Sequence, residues 1–130
     1  MAITAGDKVI IEKAMIAAEN DWDAYKEVMT MLVDLKGSEK SAVKADFEKY
    51  FELADEYTGR NGLLALEDLK DAQIIVLKGL GRFATGSQAY ANQEKRLREI
   101  KEKAEVASKR LENMKAELLS VEKNIKARYQ

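Results

Sequence analysis

The chain has 130 residues, 22 of them Lys or Arg and 23 Asp or Glu, with no proline, cysteine or histidine. Those absences remove disulfides, thiolate metal sites, the commonest metal ligand and the commonest acid–base group at neutral pH. The length suits one domain, expected over residues 1–130 with a modest core, and a composition rich in Ala, Glu, Lys and Leu favours long helices.

The first helix is expected over about 8–36, capped by Asp7 or Thr4. Ile11, Met15, Ala18, Trp22, Tyr25, Met29 and Leu32 follow one another in alternating steps of 4 and 3, which is a single helical seam. Gly37 reads as its C-terminal glycine, and Ser38 or Ser41 as the opening of the next helix.

The second helix is expected over about 41–83. Its seam runs Phe47, Phe51, Ala54, Thr58, Gly62, Ala65, Leu69, Ala72, Val76, Leu80 and Phe83, a mean spacing of 3.6. The phase is not reset at "GRNG" (residues 59–62), which favours one continuous helix with a groove of small residues around Ala54 and Gly62. Trp22, folding back about residue 37, is expected beside that groove. The alternative is a break at 59–62 marked by the Asn61–Gly62 pair, giving four shorter helices.

"GRFATGS" supplies the next turn, and the third helix fills about 87–128. Its seam is Tyr90, Leu97, Ile100, Ala104, Ala107, Leu111, Met114, Leu118, Val121 and Ile125, a coiled-coil heptad from Leu97 onward. In a parallel self-pairing, Arg96 would meet Lys101, Arg110 would meet Lys115 and Glu117 would meet Glu122, all like-charged. An antiparallel packing within the chain is therefore favoured. The fold class expected is all-α: an antiparallel bundle of three long helices.

At ~1.5 Å per residue the first helix spans roughly 40 Å and the other two roughly 60 Å each. The first therefore reaches only to about Leu66 on the second. Beyond that point Ile74, Ile75, Val76 and Leu77 are consecutive and apolar on all sides, with one neighbour to cover them. Ile74, Ile75, Leu77, Leu80 and Phe83, with Leu97 and Ile100 opposite, are the expected partner-binding strip, because such patches mark interaction sites.

Catalytic motifs are missing: "GLGRFATG" follows a helix rather than a strand, and "DEYTGRNGLLALED" lacks EF-hand spacing. The chain is not expected to be an enzyme or to hold a metal or cofactor. Residues 94–130 carry 11 basic and 7 acidic side chains, but the two signs alternate, as on a solvated helix face rather than a nucleic-acid surface. No segment has the ~18 consecutive apolar residues of a membrane span, and the N-terminus lacks the form of a secretory signal. A cytoplasmic protein with no nucleic-acid partner and no membrane insertion is expected.

"ELADEYTGRNGLLALEDL", with Tyr90 following 29 residues after Asn61, resembles the FlgN-type flagellar export chaperones, and "AAENDWDAYKEVMTML" has the look of small helical secretion chaperones including the FliT type. The likeness spans about residues 17–92 and is firmest at Asn61, Gly62, Leu63 and Leu64. It implies a role in covering the amphipathic terminal helices of a client and passing them to an export gate. It also implies that Asn61 and Gly62 shape the bundle and that Tyr90 lies toward the partner-facing end. Two other readings fit the residues: a self-assembling coiled-coil or scaffold protein, in which the strip joins copies of the chain, and a small inhibitor acting through its acidic N-terminal part.

Overall fold

The computed structural model describes residues 3–129, and these are all-α. The helices are α1 (Ala5–Asn20), α2 (Tyr25–Leu32), α3 (Lys40–Thr58), α4 (Leu63–Leu80) and α5 (Gln88–Arg128). No helix among the described residues is long and apolar enough to cross a membrane. The chain forms two compact units: unit 1 runs to Asp55 and resumes at Lys115, and unit 2 is Glu56–Met114.

Unit 1 contains α1, α2, most of α3 and the end of α5. The first helix opens with a capping box: the Thr4 hydroxyl accepts from the Asp7 amide at 3.0 Å, and the Asp7 carboxylate faces the Thr4 amide. Asp7 also accepts from the amides of Lys36 and Gly37, at 2.9 and 2.7 Å. The start of α1 is thereby fixed to the segment after α2, so the two helices run antiparallel. At the other end of α1, Lys126 of α5 pairs with Glu19. Tyr129 donates to Asp46 of α3 at 2.6 Å, and the Trp22 indole donates to the Tyr50 hydroxyl at 3.1 Å. Phe47, Tyr50, Val28, Leu32, Leu118 and Ile125 are sealed inside. Tyr25 stands edge-on to Phe51, which in turn stands edge-on to Tyr50.

The expected helix over 8–36 is therefore two helices. The break lies at residues 21–24, where Asp21 is extended and its side chain accepts from the Asp23 amide at 2.9 Å. An aspartate bonding two residues ahead offers the backbone an alternative to the helix. After this turn the buried positions are Ala24, Val28, Leu32 and Leu35: Leu32 is where the seam placed it, while Ala24 and Val28 take the places expected for Tyr25 and Met29, which leaves Tyr25 exposed. Gly37 lies beyond the helix end at Leu32 and has no positive φ; it serves as a donor to Asp7 rather than as a helix stop. Because α2 doubles back along α1, the start of α1 lies at Lys36 and Gly37.

The helix expected over 41–83 is also broken, at residues 59–62. The Gly59 carbonyl accepts from both Gly62 and Leu64, at 3.0 and 3.2 Å. A Cβ at Gly62 would lie 2.1 Å from the Tyr57 carbonyl oxygen and 2.5 Å from that of Glu56. Gly62 is small because the backbone turns onto itself there, not because a neighbouring helix packs on it. Ala54 is fully buried in unit 1, while Asn61 is exposed in the turn.

Unit 2 is a helical hairpin of α4 and the first part of α5. Arg82 and Phe83 continue the end of α4 with tighter bonds to Gly79 and Leu80. The Ser87 hydroxyl accepts from the Tyr90 amide at 3.1 Å and so caps α5. The Gln93 side chain donates to the Val76 carbonyl at 3.3 Å, which fixes the antiparallel register. Along α5 the heptad positions from Leu97 to Ile125 are all buried or half-buried, and nearly every other position is exposed.

Candidate functional site

In unit 2, α4 packs on α5 through one side only. Ala65, Leu69, Ala72, Val76 and Leu80 form that side; Val76 is buried and the others are half-buried. At about 100° per residue, Ile75 and Leu77 fall on opposite flanks of the contact, about 160° apart, with Ile74 facing outward. Ile74 is 52% exposed, Ile75 70% and Leu77 56%. The apolar ring read from the sequence is real, but it is not one strip, because Val76 divides it.

The other expected positions divide in the same way. Phe83, in the turn after α4, is 41% exposed, and Leu80, Tyr90 and Ile100 are half-buried. Leu97 is buried in the hairpin contact and does not line an open surface, which corrects its placement opposite the strip. Trp22 and Ala54 belong to unit 1.

Two surfaces remain. The first is a groove on the Leu77 flank. Leu66, Lys70 and Gln73 line it from α4, and Leu77 continues their row one turn further; Lys101, Ala104, Glu105, Ser108, Lys109 and Glu112 line it from α5. Its volume is about 540 Å³. Half-buried leucine and alanine form the floor, and charges of both signs form the rim. The second surface is the outward face of α4, on which Ile74 and Ile75 sit among charged residues. Sequence reasoning missed the groove because its α5 wall is set by the hairpin register. The i, i+4, i+7 row Leu66, Lys70, Gln73 was the available signal.

In unit 1 a charged cluster joins α5 to α1. Burial and the neighbouring Glu19 carboxylate push Glu122 up, and Glu19 likewise raises Lys126. Lys126 lies 3.5 Å from Glu122 and completes the cluster, which ties α5 to α1. Among the described residues no group of acidic side chains has the arrangement of a metal site.

No protein-family model, curated protein or solved structure matches this chain.

Proposed function

We propose that the chain is a non-enzymatic binding protein whose hairpin receives one amphipathic helical segment of a client in the groove beside Leu77. The observation that carries this reading is that unit 2 has two helices and an open groove between them, with an exposed leucine at one end. A third helix laid along the groove would give the hairpin the helical neighbour that bundles supply. Its apolar stripe would cover Leu66 and Leu77, and its flanks would meet Lys70, Lys101 and Lys109 on one hand and Glu105 and Glu112 on the other. Shielding such a stripe before the client reaches its destination is the work of a holding chaperone. The form specific to flagellar export, with a cytoplasmic chaperone handing its client to an export gate, has the resemblance around Asn61–Leu64 and Tyr90 as its support.

The test is a photo-crosslinking residue at Gln73 in the host cell, with Lys13 of α1 as control. A product specific to Gln73, mapping to an amphipathic helix of another protein, supports the reading. A peptide of that segment should then bind the purified chain, and Leu77→Asp should weaken it by about tenfold or more, the scale of a charge placed in an apolar contact. Cross-links only between copies of the chain, or none at Gln73, would overturn it.

A further inference from the structure

The outward face of α4, with Arg82 in the turn that continues it, carries six residues in a symmetric order: Glu67, Asp71, Ile74, Ile75, Lys78 and Arg82. All six are exposed, and none forms an ion pair among the described residues. Acidic residues come first, two isoleucines stand at the centre and basic residues follow. We infer that this face pairs with the same face of a second copy of the chain, antiparallel, about a twofold axis between Ile74 and Ile75.

The register follows from the spacing. Reversing α4 about the midpoint of Ile74 and Ile75 sets Asp71 against the second copy's Lys78 and Glu67 against its Arg82. Each contact occurs twice, as a self-complementary interface requires. Four isoleucines meet at the centre, where Ile74 and Ile75 are otherwise the apolar side chains in water. Leu64, 46% exposed, comes to the end at which the second copy's Phe83 arrives. A parallel pairing would set Asp71 against Asp71 and Lys78 against Lys78, so charge selects the antiparallel form.

A flat anionic membrane fits this face less well. Lys78 and Arg82 lie between the isoleucines and the tip of the turn, so insertion of the turn would carry both in ahead of Ile74 and Ile75. A sideways approach would bring Glu67 and Asp71 to the surface. The α4 face is separate from the groove on the Leu77 flank, so the pairing does not depend on the client reading.

Sedimentation of the purified chain over a wide concentration range, without any client, tests the pairing. The wild type should show a monomer–dimer equilibrium that weakens as salt is added. Asp71→Lys and Lys78→Asp should each weaken the dimer by roughly tenfold, since two exposed attractive pairs become repulsive. The double variant should recover it, and an equimolar mixture of the two single variants should form a mixed dimer tighter than the dimer of either variant alone. Circular dichroism should show all variants folded. A folded wild type that stays monomeric would overturn the inference, and so would a dimer indifferent to both swaps or single variants that fail to pair on mixing. Light scattering with anionic vesicles supplies the remaining arm: vesicle binding lost in Lys78→Asp, with no dimer in solution, would assign the face to lipid instead.

Discussion

In unit 1, α1 meets α2 and α5, α3 meets α2 and α5, and the ring of four helices closes on a core in which Phe47 and Val28 have no exposure. In unit 2, α4 lies against α5, and Ile75 is 70% exposed. Both units use apolar seams at the same helical spacing. What differs is the number of neighbours, and that number decides whether an aliphatic side chain becomes core or surface. Substitutions of similar chemistry should therefore have unequal effects in the two units.

The largest effect is expected in the closed unit. Phe47→Ala should cost about 3–5 kcal/mol in urea unfolding, from lost transfer energy and the cavity left behind. Leu97→Ala, at a contact with a single neighbouring helix, should cost about 2 kcal/mol, because the site can collapse. A cost for Leu97→Ala equal to that for Phe47→Ala would mean that the hairpin is as tightly enclosed as the four-helix ring. Gly62→Ala should cost more than about 1 kcal/mol, since the added carbon meets two carbonyl oxygens. Gly86→Ala, with open space around its Cβ and no positive φ, should be neutral or stabilise by about 0.4–1 kcal/mol.

The next expectation concerns acid. The Lys36 amide, with help from Gly37 and Thr4, holds the Asp7 carboxyl below its usual range in spite of its burial. Its folded pKa thus lies below the unfolded value of about 3.9, so the unfolded chain takes up the proton first. The contribution of Asp7 is complete above that value and declines as pH falls through the folded pKa. The stability gap between wild type and Asp7→Asn, measured by urea titration at several pH values, should be constant near neutrality and narrow below about pH 4. Smallest of all, Ile75→Asp should change unfolding stability by no more than about 0.5 kcal/mol, as for a surface position, when both chains are measured at a concentration low enough to be monomeric. A loss comparable to that for Leu97→Ala would show Ile75 to be interior.

The seams could be read from the sequence because a buried face imposes a period of 3.6, and the heptad from Leu97 to Ile125 is found as expected. The two breaks were harder to see. At residues 59–62 four non-helical residues advance the chain by nearly one turn's worth of phase, so the spacing cannot distinguish a turn from a helix. At residues 21–24 the signal was present in "NDWD", whose Asp21 starts the turn, but the apolar steps around it concealed it. The all-round apolar segment 74–77 was legible. Its division between a groove flank and an outward face was not, because that depends on which side of α4 receives α5.

The Asp7 carboxylate holds amides about thirty residues away along the chain, and these belong to a segment outside any helix. Deuterium uptake at Lys36 and Gly37 thus becomes a clock for a remote event. Those two protons can be exchanged for solvent only when the N-terminal turn of α1 lifts away. The loop after α2 in this way reports whether the first turn of α1 is seated.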